Sequence, residues 1–105
     1  VKFVIRPTAR EDILRQYRYY LIEADEELVA ARFLAAIEAA ITRVCKHPGI
    51  GAPKELRNRR LAGLRSCPVK GFAEMRVYYL VSEELLRVVR VLHGKRDINP
   101  LLEDE

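Results

Sequence analysis

The chain is poor in the residues that mark common metal and redox chemistry. Its 105 residues include only two cysteines, Cys45 and Cys67, and two histidines, His47 and His93. None of them falls in a CxxC or a paired Cys/His spacing, so the sequence offers no zinc site and implies no metal. Two isolated cysteines without a visible leader read as reduced thiols in a cytoplasmic protein, serving as small apolar core fillers. No apolar run approaches the length of a membrane span, which sets a membrane protein aside. There are no internal repeats and no low-complexity tracts. What is present is ordinary for a folded domain: 50% hydrophobic and 32% charged residues, a balance that excludes intrinsic disorder. The length fits one domain over residues 1–105. A chain this short buries a modest fraction of its surface, so a partner that covers apolar surface would add to its stability.

Charge is present but uneven. The net charge is +4 and the sequence pI about 9.3. From Thr8 to Cys45, five Arg stand against seven acids, giving −2. From Lys54 to Lys70, six cations stand against Glu55 alone, giving +5. Positive potential concentrated in one segment favours an acidic or polyanionic partner, although a solvated basic loop has the same composition.

Periodicity supplies the elements. Residues 2–6 read as a short strand ended by Pro7. Thr8 and Glu11 have the spacing of a capping box, and Asp12 adds negative charge at the positive end of the helix dipole. Ile13, Tyr17, Tyr20, Leu21 and Ala24 then form one apolar helical stripe. Asp25 is the expected cap of a second helix, whose stripe is Val29, Phe33, Ala36, Ile37, Ala40, Ile41 and Val44. Pro48-Gly49 stops it, with His47 at the helix end suited to capping rather than catalysis. The short break predicts a helical hairpin. Residues 50–63 read as a loop with one helical turn near 55–62. Three strands follow at Leu64–Val69, Phe72–Val81 and Leu85–His93, joined by turns at Lys70-Gly71 and Ser82-Glu83-Glu84, which makes an antiparallel meander. The last strand is apolar on both parities, which implies a central strand covered on both faces, or one face covered by a partner. The tail from Asp97 is short and acidic at its end.

The predicted fold is α+β, β-α-α-β-β-β, with the N-terminal helical hairpin packed on one face of an antiparallel sheet and the other face curving over a basic groove. This order at this length resembles the ParE/RelE toxin superfamily. The pieces that match ParE-like members are Ala9 with Asp12-Ile13, the Pro48-Gly49-Ile50-Gly51 stop, Leu64-Arg65-Ser66, Gly71-Phe72, Val77-Tyr78-Tyr79, and the run Arg90-Val91-Leu92-His93-Gly94-Lys95-Arg96-Asp97.

The resemblance implies a toxin of a type II toxin–antitoxin pair, with two activities open. RelE-like members cut mRNA on the ribosome; ParE-like members poison DNA gyrase. As a nuclease the chain would use Arg76 and Arg96 as cations on the phosphate and His93 as base. The C-terminal Tyr of many nucleases is absent, the tail reading Asn99-Pro100-Leu101-Leu102, and His93 also reads as a structural strand-end residue. The reading favoured is therefore a gyrase-binding inhibitor with no catalytic residues and no cofactor. A plain basic nucleic-acid-binding or structural module is the third reading. Candidates for antitoxin or target contact are Arg57, Arg59, Arg60, Arg65, Lys70, Arg76, Arg90 and Arg96, and the segments expected to touch gyrase are the basic loop 54–70 and the segment 93–102. Arg65 also reads as an inward ion pair with a helix acid such as Asp12. The expected antitoxin is acidic and disordered until bound, lying in a groove between hairpin and sheet or adding a strand to the sheet edge, in a hetero-oligomeric complex.

Overall fold

In a computed structural model, which describes residues 1–94 and 98–103 with the side chain of Ala73 excepted, the elements follow the expected order. They are β1 (Lys2–Ile5), α1 (Pro7–Arg18), a π-helical turn (Tyr19–Glu23), α2 (Glu27–Lys46), a 3-10 turn (Pro48–Ile50), β2 (Ala52–Pro53), a second 3-10 turn (Arg59–Leu61), β3 (Arg65–Val69), β4 (Phe72–Ser82), β5 (Leu85–His93) and α3 (Asn99–Glu103). The sheet order is β1-β5-β4-β3-β2. β3, β4 and β5 form the antiparallel meander. β1 joins it parallel to β5, with Phe3 opposite Leu86 and Ile5 opposite Val88. β5 therefore has a strand on either side, and both its parities are apolar because a core covers each face, with Leu86, Val88 and Val91 in one and Val89 and Leu92 in the other.

Alternation along β4 and β5 sorts their side chains between two cores. Val77 and Tyr79, with Leu86, Val88 and Val91, face the helices and meet Phe33, Ile37, Ile41 and Val44. Tyr78, Val89 and Leu92 face the other way and meet Leu61, Leu64, Ile98 and Leu102. The stripe of α2 is buried as the periodicity requires: Phe33, Ile37, Ala40, Ile41 and Val44 all lie in the helical core. Cys67 is buried and Cys45 half-buried, both as free thiols.

Both expected helix caps are corrected. α1 begins at Pro7 with Arg6 as its N-cap, and no side chain caps it. Proline presets the helical φ and has no N–H to satisfy, so the helix starts one residue early and Thr8 falls inside the first turn. Asp25 lies before the second helix in the left-handed region, φ 51°, and Glu26 holds the N-cap position without a side-chain bond. The π-turn carries the chain there, with Ala24 N–H donating to Tyr19 O and Glu26 N–H to Tyr20 O. Two elements were not foreseen, the two-residue β2 and the C-terminal helix α3.

The anticipated groove between hairpin and sheet is also corrected. That space is filled by the helical core, where Phe33, Val44, Val69, Val77, Tyr79, Leu86 and Val88 are fully buried. Nor is the opposite face an open basic groove: α3 and the second 3-10 turn cover it.

Candidate functional site

The charged residues singled out in the sequence fall into three groups. Arg90 is the first. β1 pairs with β5 only as far as Val88, so beyond that point the β5 edge lacks a strand neighbour. α1 occupies the gap with Asp12. A register shift between Tyr78 and Tyr79 places Arg90 opposite Tyr78. Arg90 donates from Nε and Nη2 to the two oxygens of Asp12 at 2.8 and 2.9 Å, and Val91 N–H donates to the same carboxylate at 3.0 Å. Asp12 is 5% exposed and Arg90 8%. Arg90 is thus a structural clasp, buried against Asp12 rather than presented on the surface. The partner expected for Asp12 was Arg65, and that is corrected.

Arg65 and Arg76 form the second group. Arg65 donates from Nη1 to Gly51 O at 2.7 Å and Gly49 O at 3.3 Å. The same loop is gripped from below by Tyr79, whose hydroxyl donates to Pro48 O at 2.7 Å and accepts from Gly51 N–H at 2.9 Å. A Cβ on Gly51 would lie 2.8 Å from Tyr79 Cε1 and 2.9 Å from Ser66 O, so this close approach requires glycine. Burial pushes the Tyr79 phenol up, against the lowering effect of the Gly51 N–H. Arg76 donates from Nε to Ser66 Oγ at 2.9 Å and from Nη2 to Ser66 O at 3.3 Å. Burial likewise pushes up the neighbouring Tyr78 and Cys67, with Arg76 opposing both shifts and Arg43 opposing that of Cys67.

Of the nuclease set, His93 and Arg76 do not converge. His93 pairs with Met75 and Arg76 with Leu92 on adjacent strands. Alternation puts His93 on the helical side, beside Asp12, Arg15 and Gln16, and Arg76 on the opposite side with Ser66. His93 Nδ1 lies 3.5 Å from Glu74. Arg96 lies outside the described residues.

Arg57, Arg59, Arg60 and Lys70 form the third group, and all four are exposed. The first three surround Asn58, a residue the sequence reading passed over. Asn58 Oδ1 accepts from Arg60 N–H at 3.0 Å and caps the second 3-10 turn. The Asn-Arg-Arg-Leu order is the signal that would have located it. Its other bonds go to α3 and were not legible locally.

Exposed apolar side chains concentrate elsewhere. Phe3 and Val4 on β1, Leu14 on α1, and Tyr19 and Ile22 on the π-turn are all exposed, Ile22 by 69%. Leu14, Tyr19 and Ile22 line a shallow concavity together with Glu11, Arg15, Arg18 and Glu23. Lys2 and Arg6 donate their N–H groups to Glu84 O and Val88 O of the neighbouring hairpin. Alternation therefore leaves the N–H of Phe3 and Ile5 directed away from β5, along an edge that carries no strand among the described residues. No helix among the described residues is long and apolar enough to cross a membrane.

Comparison with known proteins agrees with this architecture. A solved structure titled as the chromosomal ParDE toxin–antitoxin system from P. aeruginosa superposes with a TM-score of 0.70 at 13% identity, covering 90% of this chain and 97% of that one. A search of curated proteins returns no match. The family model described as the ParE toxin of the type II toxin–antitoxin system parDE matches residues 3–98. With nearly the whole chain inside that match and the fold shared, the protein belongs to the ParE toxin family of type II toxin–antitoxin systems.

Proposed function

We propose that this chain inhibits growth by binding DNA gyrase, in the cytoplasm, and that a cognate antitoxin neutralises it. The observation that carries a binding mode over RNA cleavage is the division of the nuclease candidates. His93 and Arg76 stand on opposite faces of the sheet, and Arg76 is already engaged by Ser66. A base and a phosphate-binding cation must meet the same nucleotide to act together. The exposed cations Arg57, Arg59, Arg60 and Lys70 remain the candidates for target contact.

The antitoxin in this reading docks on the β1–α1 side. The outer edge of β1 accepts a strand, and the apolar residues Leu14, Tyr19 and Ile22 accept an amphipathic segment whose acids meet Arg15 and Arg18. The antitoxin segment is disordered until bound, and the ordering cost is met by this combined surface.

Supercoiling by gyrase in the presence of excess toxin tests the target, alongside mapping of cleavage in ribosome-bound mRNA. Inhibited supercoiling with intact mRNA supports the reading. Unaffected supercoiling with mRNA cleavage, lost in Arg76→Ala plus Arg96→Ala, replaces it with the nuclease. For the antitoxin, Leu14→Glu with Ile22→Glu should abolish co-purification while leaving growth inhibition intact.

A further inference from the structure

The solvent face of α2 is bare and patterned. Opposite the buried stripe, Leu28, Ala31, Ala35, Ala39, Thr42 and Lys46 recur every three or four residues, and all of them are exposed. Leu28 is 73% exposed, more than any other large apolar side chain among the described residues. The alanines that follow it keep the face low, so a facing helix can approach closely. Towards the other end of the helix, Ala39, Thr42, Arg43 and Lys46 line a shallow concavity. Their i, i+3, i+4, i+7 spacing is that of a hole that receives a knob from a facing helix. One end of α2 thus presents an apolar knob and the other a hole.

The two ends also differ in charge. Glu23, Asp25, Glu26 and Glu27 are exposed at the start of α2, while Arg43 and Lys46 lie in its last turn. A uniformly acidic or uniformly basic partner helix would meet its own sign at one end. A second copy of α2 run in the opposite direction sets acids beside cations at both ends, and antiparallel helix dipoles favour the same arrangement.

We propose that this face pairs with the same face of a second copy of the chain, α2 antiparallel to α2, about a two-fold axis at Ala35. Residues equally far from Ala35 then lie level. Leu28 is level with Thr42 of the second copy and enters the hole among Ala39, Thr42, Arg43 and Lys46. Ala31 is level with Ala39, and the acids at each helix start lie beside the cations at the other helix end. The contact is isologous, so every feature is used twice. α2 has 20 residues and is about 30 Å long. A seam of that length buries on the order of 1,000 Å² in total, the low end for a specific interface. The dimer is accordingly weak, with a Kd on the order of 10 μM. This face points away from the core, is separate from the β1–α1 side assigned above to the antitoxin, and its pairing does not depend on gyrase being the target.

Sedimentation equilibrium of the full chain, at roughly 1 to 200 μM, should show monomer passing to dimer. Leu28→Asp should keep the chain monomeric over that range while leaving the urea unfolding midpoint unchanged, because the side chain it replaces is exposed. Lys46→Glu and Glu27→Lys each place like charges together across the seam, and each should weaken the dimer about tenfold. An equimolar mixture of those two variants should recover it, since the acids of one then face the cations of the other. Damage to the fold cannot be repaired by mixing, so the recovery isolates the antiparallel contact. The proposal is overturned if the unaltered chain stays monomeric throughout, if the dimer survives Leu28→Asp, or if the mixture associates no better than either variant alone. A chain that is monomeric but loses antitoxin binding on Leu28→Asp would give this face to the antitoxin, which also overturns it.

Discussion

The two faces of the sheet are built to different standards. On the helical face, α1 and α2 bury a continuous core in which α2 alone contributes Phe33, Ile37, Ile41 and Val44. A buried charge pair, Asp12 with Arg90, locks α1 against the one stretch of β5 that β1 leaves uncovered. On the other face, six residues at the C-terminal end and a 3-10 turn do the covering, held by two apolar side chains and one asparagine. Long amphipathic helices lose their packing only when the whole domain unfolds. A five-residue helix can lift away while the sheet stays intact. The difference separates a face closed by long helices from a face closed by a short one.

That contrast can be broken or sharpened by substitution. The largest effect should come from Asp12→Ala, which removes the carboxylate that accepts from buried Arg90 and from Val91 N–H; it should cost about 3–5 kcal/mol in urea unfolding. A loss under 1 kcal/mol would mean that α1 is not locked by charge. Gly51→Ala should follow at about 3 kcal/mol, because the new Cβ meets Ser66 O and the Tyr79 ring, and the Ser66 oxygen is backbone that cannot swing aside. Leu102→Ala should cost only about 2 kcal/mol, the low end for a buried leucine, because α3 can undock rather than drag the sheet with it. If it costs as much as Phe33→Ala, the two faces are equivalent after all.

The hairpin between β4 and β5 belongs to both faces and serves as a control. Glu83 and Glu84 have φ of 49° and 67°, the left-handed conformation of a two-residue turn that suits Asn-Gly better than Glu-Glu. Glu84→Gly should stabilise the protein by about 1 kcal/mol, without altering exchange at α3 relative to β4. The smallest effect near neutrality is that of pH. Burial raises Cys67, Tyr78 and Tyr79 from ordinary values of 9.0, 10.0 and 10.0. The folded state therefore holds these protons longer than the unfolded chain does. Their contribution is complete below pH 9 and is lost as pH rises through the unfolded values towards the folded ones. Unfolding midpoints measured from pH 7 to pH 11 should fall only above pH 9, and Tyr79→Phe should flatten part of that fall.

Local patterns made much of the fold legible. The stripe of α2 is buried almost residue for residue, because 3.6-residue periodicity is a property of the chain itself. Gly71, at φ 88°, lies in the turn between β3 and β4, where the Lys70-Gly71 turn was expected. The charges were less legible. Asp12, Arg65 and Arg90 were all visible, and Asp12 was expected to have an arginine partner. The choice between Arg65 and Arg90 depended on where β1 stops along β5 and on a register shift between Tyr78 and Tyr79. Neither leaves a mark in composition or spacing. The contact between Asn58 and Glu103 was hidden for the same reason, since the two lie 45 residues apart.

From sequence alone come the order of the elements, the apolar faces, the basic segment between Lys54 and Lys70, and the family. The first three follow from periodicity, turn chemistry and charge counting, and the family from the resemblance of the quoted motifs in their order. Tertiary structure decided which arginine is buried, which loop is stapled by Tyr79, that His93 and Arg76 face apart, and that residues 98–103 close the second face. Those outcomes depend on strand register and close approach between distant segments, where a shift of one residue sends a side chain to the other side of the sheet.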